Sequence, residues 1–194
     1  KWCQNWELGA RVGTQAYMGE YCLTDFALKD WWTLPSIDLS ISKWGTQSLG
    51  MTIGYNIGKF KSLYQSNPAG TEYKSAAFAD PANDAAYNGS FNVASGWMSN
   101  LYIDVFFDVT NLLGEYRKDR IYSLIGYMGG GIITPLTSTA YKTVNASFNA
   151  GLINRFRLTD HLSLDLAIRG TLHDDSFNGI SYYTSGDITN ISVD

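Results

Sequence analysis

From residue 162 the chain reads LSLDLAIRGTL. Leu162, Leu164, Leu166, Ile168 and Leu172 share one parity, and Ser163, Asp165, Arg169 and Thr171 share the other. A helix would scatter those leucines around its circumference, whereas side chains of a strand alternate between two faces. The pattern predicts a strand with one apolar and one polar face. The same period recurs in NWELGARVGTQAY, where Trp6, Leu8, Ala10 and Val12 oppose Glu7, Gly9, Arg11, Gly13 and Gln15. In LPSIDLSISK, Pro35, Ile37, Leu39 and Ile41 oppose Ser36, Asp38, Ser40 and Ser42. In SLGMTIGYNIG, Leu49, Met51, Ile53, Tyr55 and Ile57 oppose Gly50, Thr52, Gly54 and Asn56. In LYIDVFFDV, Leu101, Ile103, Val105, Phe107 and Val109 oppose Tyr102, Asp104, Phe106 and Asp108. In VNASFNAGLINR, Ala146, Phe148, Ala150 and Leu152 oppose Ser147, Asn149, Gly151 and Arg155.

Two segments need arbitration. Leu101, Val105, Val109 and Leu112 also stand at helical spacing, but the β-branched and aromatic middle favours a strand, and Thr110-Asn111 supplies a turn. Residues 121–141 carry no formal charge over the length of a spanning helix, yet hold Gly129-Gly130-Gly131 and Pro135, which oppose a helix. Residues 121–131 are read as a further strand, apolar on both faces and uncertain in phase. That makes seven strands. After Asp187, Thr189, Ile191 and Val193 oppose Asn190, Ser192 and Asp194, the start of an eighth strand cut short, so the chain is expected to continue in its parent protein.

The polar faces are poor in Lys and rich in Gly, Ser, Thr and Asn, as the crowded lumen of a narrow barrel requires. The apolar faces then point at lipid, and strands of about 9 to 12 residues suit a tilted membrane crossing. Long connections (18–33, 59–97, 131–143, 173–187) alternate with short or intermediate ones (43–47, 110–120, 158–161), as in outer-membrane barrels. Residues 59–97, with SNPAG, ADPAND and YNGS, read as an irregular external loop rather than a second domain. The expected fold is all-β, an eight-stranded antiparallel up-and-down transmembrane β-barrel over residues 1–194, its N-terminus periplasmic and its long loops extracellular. Strand phase puts Glu7, Arg11, Asp38, Asp104, Asp108, Arg155, Asp165 and Arg169 in the lumen as a mixed-sign network, since buried charges need partners. An interfacial aromatic girdle is expected from Trp6, Trp31, Trp32, Trp44, Trp97 and Phe156, joined by Trp2, Tyr17, Tyr21, Phe60 and Tyr116.

NWELGARVGTQAYMGEY, PSIDLSISKWGTQSLGMTIGYNIGKFKS and NAGLINRFRLTDHLSLDLAIRGTLHDDSFNG resemble the OmpA-like outer-membrane barrels of the Bacteroidetes. The likeness covers nearly the whole chain and is most specific in the Ser-Lys-Trp turn and the run Asn-Arg-Phe-Arg-Leu-Thr-Asp-His-Leu-Ser-Leu-Asp-Leu. It implies an eight-stranded barrel usually followed by a periplasmic peptidoglycan-binding domain, of which these residues contain none.

Composition narrows the alternatives. With 16% charged and 14% aromatic residues the chain is no disordered tail, and a net charge of -4 without a basic run excludes a nucleic-acid binder. Two cysteines, Cys3 and Cys22, flank a full crossing and are too far apart to bond. His173 beside Asp174 and Asp175 could serve a hydrolase site, but nothing marks a nucleophile, and an exposed loop histidine is the plainer reading. Asp174, Asp175, Asp80 and Asp84 lack calcium-loop spacing. No enzyme activity, metal or cofactor is expected. The expected function is a structural membrane anchor that supports envelope integrity, with outer-membrane lipid and lipopolysaccharide as partners. Its rivals are an adhesin acting through residues 59–97, a small-solute pore, and a soluble ligand-binding barrel.

Overall fold

The computed structural model describes residues 5–18, 32–65, 85–87, 91–114, 117, 120–136, 144–173 and 190–193. The elements are β1 (Trp6–Met18), β2 (Trp32–Trp44), β3 (Leu49–Gln65), β4 (Ala85–Tyr87), β5 (Phe91–Asp108), α1 (Val109–Leu113), β6 (Tyr122–Pro135), β7 (Asn145–Arg157), β8 (Ser163–His173) and β9 (Asn190–Val193). All strand pairings are antiparallel, in the order β3-β2-β1-β9-β8-β7-β6-β5-β4, and β3 also pairs with β5. The sheet is therefore curled until its pairings return on themselves. Its wall is made of seven long strands rather than eight. Among the described residues the eighth place, between β8 and β1, is held by the four residues of β9.

The short connections lie at one end, the turn end. Gly45 and Thr46 both donate backbone N–H bonds to the Leu49 carbonyl, and Thr46 Oγ1 accepts from the Leu49 N–H. Leu158 and Thr159 close the second turn on the Leu162 carbonyl in the same way. At this end β5 stops at Asp108 and gives way to α1, where a strand residue and a turn were expected. Asp108 caps the helix by accepting from the Asn111 N–H at 2.9 Å, and Asn111 itself binds the Gln47 carbonyl across the turn.

At the other end the β3–β5 hairpin runs further than the alternation predicts. Its register continues unbroken from Leu49↔Phe107 to Gln65↔Phe91, so the irregular loop expected over 59–97 is shortened from both sides, and β4 lies within what remains. The reason is chemical. Beyond Ile57 the apolar parity is taken by Lys59 and Lys61, so the hydrophobic signal stops while the backbone ladder goes on.

Strand faces follow the predicted parity. Leu8, Val12, Ile53, Leu101, Leu166 and Ile168 are among the outward residues, and Leu8 is 84% exposed. The inward parity is buried along most of the wall, but Gly13 on β1 and Ser163 and Ala167 on β8 are exposed. The phase of β6, unreadable because both its faces are apolar, resolves with Ile125, Tyr127 and Ile133 inward and Met128 and Ile132 outward.

Candidate functional site

The lumen is built from alternate residues of the seven long strands, because an inward side chain recurs at every second position. β1 supplies Glu7 and Arg11, β2 Asp38, β5 Asp104, β7 Arg155, and β8 Asp165 and Arg169. These seven form one connected series in which the sign of charge alternates at every step. Arg155 binds Glu7 at 2.8 Å and grips Asp165 with two nitrogens at 2.9 and 3.0 Å. Asp165 lies 3.6 Å from Arg11, which binds Asp38 at 3.0 Å. Asp38 binds Arg169 at 3.3 Å, and Arg169 reaches Asp104 at 3.5 Å. The network expected from strand phase is assembled, with one exception. Asp108, although buried, spends its carboxylate on the cap of α1.

Residues that the charge pattern did not single out complete the site. Tyr102 donates its hydroxyl to Asp38 at 2.6 Å, and its ring lies under the Arg169 guanidinium at 4.0 Å. Tyr127 accepts from Arg169 Nε at 3.3 Å and donates to the Ile168 carbonyl. Arg169 is thus held by two carboxylates, a hydroxyl and an aromatic face, which suits a guanidinium better than a lysine. Tyr102 could have been read from the sequence, since its parity matches that of Asp104. Tyr127 could not, because it sits in the two-sided apolar stretch.

Each inward ring has a seat. Gly54 pairs with Tyr102, Gly50 with Phe106 and Gly151 with Tyr127's strand position, and a β-carbon on any of the three would collide with that ring. The inward glycines are therefore not merely small; they make room for large side chains across the ladder.

The lumen is layered along its axis. Towards the turn end, beside the Arg155–Asp165 pair, Phe106, Ile125, Tyr127 and Ile153 form an apolar cluster, with Trp44 edge-on to Phe106 at 4.4 Å. Trp44 was expected in the girdle. Its even position in β2 turns it inward instead, where Nε1 donates to Glu7 at 2.8 Å. Phe60, also expected in the girdle, is fully buried because it follows the inward parity of β3. Above the charges lies a neutral layer. Asn149 Oδ1 accepts from Asn100 and Thr171 at 3.3 and 3.0 Å, and Asn100 Oδ1 accepts from Ser147. His173 belongs to this buried end of β8 and is 3% exposed, so the reading as an exposed loop histidine is corrected.

Three girdle aromatics do lie on the outward parity, Trp6 and Phe156 near strand ends and Trp97 inside the β3–β5 hairpin. Lys43 Nζ stands 4.7 Å over the Trp6 ring, Lys59 Nζ lies 5.0 Å from the Trp97 ring, and Phe156 contacts Tyr122. Trp32 is placed only by its backbone, in β2. Trp31, Trp2, Tyr21, Tyr116, Cys3, Cys22, Asp174, Asp175, Asp80 and Asp84 lie outside the described residues.

Among the described residues no group of three His, Cys, Asp or Glu side chains is placed to hold a metal, and no helix is long and apolar enough to cross a membrane. No family model, no curated protein and no solved structure matches the chain. What the site does is therefore read from its geometry. A cavity of about 250 Å³ remains between the ion pairs, lined by Arg11, Asp38, Arg155 and Asp165 and reaching Val12 and Leu166 on the outward parity. An alternating series of charges crosses the interior beside this cavity.

Proposed function

We propose that the protein is an OmpA-like outer-membrane β-barrel that serves as a closed structural anchor, with lipid and lipopolysaccharide around its wall and its longer connections displayed outside. One observation carries this reading: the outward rows are apolar and exposed while the charges are enclosed, the inverse of a water-soluble domain. A soluble monomer rarely exposes an apolar patch beyond a few hundred Å². Here the exposed apolar rows run along all seven long strands. On β3 the row from Leu49 to Ile57 spans nine residues, and Lys59 follows it. At about 3.3 Å per residue and about 40° of tilt, that row is about 23 Å tall, close to the apolar band of outer-membrane barrels. Trp6 and Trp97 stand on the outward parity at opposite ends of such rows, where amphipathic rings favour a membrane interface.

The lumen favours a plug over a pore. Eight strands enclose an interior just wide enough for side chains. Here the series from Glu7 to Asp104 bridges it, and the Phe106 cluster packs side chains into it beside those pairs. Each guanidinium is shared between two carboxylates, so the series is cross-braced across the interior, and moving Arg169 aside would leave buried Asp104 without its guanidinium.

Phase separation in a cloud-point detergent, followed by planar-bilayer recording on the full-length protein, tests both halves. The expected result is recovery in the detergent phase with silent bilayers. Recovery in the aqueous phase would overturn the membrane reading, and steady ohmic steps would overturn the plug.

A further inference from the structure

The two signs of charge take opposite faces of the wall. Among the described residues, every carboxylate within a strand (Glu7, Asp38, Asp104, Asp108 and Asp165) follows the inward parity. Every described lysine, Lys43, Lys59 and Lys61, follows the outward one. The strand arginines Arg11, Arg155 and Arg169 are engaged in the lumen series. The outward rows therefore carry lysine as their only described charge, although the chain as a whole stands at -4. Such a wall is complementary to anions.

Two of these lysines stand together. Lys59 and Lys61 are successive outward positions of β3, about 7 Å apart along the strand, so their flexible stems can converge on one group. In the β3–β5 register Lys59 is paired with Trp97 and Lys61 with Ser95. Lys59 Nζ lies 5.0 Å from the Trp97 ring centre, a contact that holds the ammonium against the wall. Ser95 is exposed and offers a hydroxyl donor beside Lys61. On the other side of Trp97, the Leu136 N–H donates to the Trp97 carbonyl at 2.8 Å, and Leu136 is half exposed, so an apolar shoulder borders the cationic pair. Neither Lys59 nor Lys61 takes part in an ion pair among the described residues.

Height selects the anion. The apolar row of β3 ends at Ile57, and at about 3.3 Å per residue and about 40° of tilt the two lysines stand about 5 and 10 Å beyond it. That is the depth of the headgroup layer that flanks the hydrocarbon. An anion held there, with chains to lie along the Leu49–Ile57 row below, is the head of a lipid. Resting on the membrane reading above, we propose that Lys59, Lys61 and Ser95, with Trp97 seating Lys59, bind a phosphate of the lipopolysaccharide headgroup in the leaflet at the loop end. The two ammonium groups neutralise the phosphate and the hydroxyl donates to it. At the turn end the described outward rows offer one lysine, Lys43, and no such pair.

The test is native mass spectrometry of the full-length protein in detergent, titrated with diphosphorylated lipid A, dephosphorylated lipid A and inorganic phosphate. Diphosphorylated lipid A should stay bound to the unaltered protein. Lys59→Gln with Lys61→Gln should weaken it about thirtyfold, the attraction of two lysines at an anionic surface. Lys59→Arg with Lys61→Arg should keep it, which separates lost charge from a misfolded hairpin, and Lys43→Gln should leave it unchanged. Equal affinity in the double glutamine variant, or equal binding of dephosphorylated lipid A, would overturn the proposal. An equal loss in Lys43→Gln would mark unspecific attraction and overturn it too, and displacement by inorganic phosphate would assign the site to a soluble anion instead. Phase separation of the same samples keeps the membrane reading distinct. Recovery in the detergent phase with equal affinities sinks this site alone, whereas recovery in the aqueous phase sinks the reading on which it rests.

Discussion

Arg169 is the residue on which the interior depends most. It joins Asp38, Asp104, Tyr102 and Tyr127, so its removal takes from buried Asp104 its guanidinium and leaves Asp38 with Arg11 and the Tyr102 hydroxyl. Breaking one member of such a buried set costs about 3–5 kcal/mol. Arg169→Met should lower unfolding stability in lipid by about that amount, measured by urea titration. Arg157→Met removes a pair with Asp160 at an exposed turn and should cost no more than about 1 kcal/mol in the same titration. Equal losses would show that the lumen is wet enough to screen its ion pairs. Gly54 gives a second test. A methyl group there meets the Tyr102 ring, so Gly54→Ala should cost about 1–3 kcal/mol by overpacking. The cost should shrink in a Tyr102→Ala background, and an unchanged cost in that double-mutant cycle would refute the seat.

Strands are where the sequence spoke most clearly. In β1, β2, β5, β7 and β8 the polar parity placed in the lumen all seven charges that meet there, though which of them pair comes from the curl that brings β1 near β8. Parity failed where its physical basis was missing. β6 is apolar on both faces, so Tyr127 stayed hidden. The apolar row of β3 ends at Ile57 while its ladder continues to Gln65, so the hairpin was read too short. Trp44 and Phe60 were judged by nearness to strand ends, although their parity already pointed inward. Asp108 had the right parity, but no periodicity shows that a carboxylate will cap the turn that follows it. The outward rows carry a prediction of their own. Ile53→Arg, midway along the β3 row, should destabilise the lipid-embedded protein by about 2–4 kcal/mol, and Leu49→Arg, at the row's turn end, by about 0–1 kcal/mol. A reversed order in urea titrations in lipid would contradict the proposed depth of the row.

For the molecule as a whole, two features pull together. The apolar exterior asks for a solvent without hydrogen bonds, and the charged interior asks for exclusion of water from a narrow core. The membrane proposal rests on the two together, on their inversion relative to a soluble domain. The most direct measurement is a depth profile of single spin labels at Leu49, Met51, Ile53, Tyr55 and Ile57 in lipid vesicles, comparing collision with oxygen, which concentrates in acyl chains, and with a water-soluble nickel chelate. The account predicts that the oxygen-to-nickel ratio rises from both ends to a maximum at Ile53. Equal access of the nickel chelate to all five positions would contradict it.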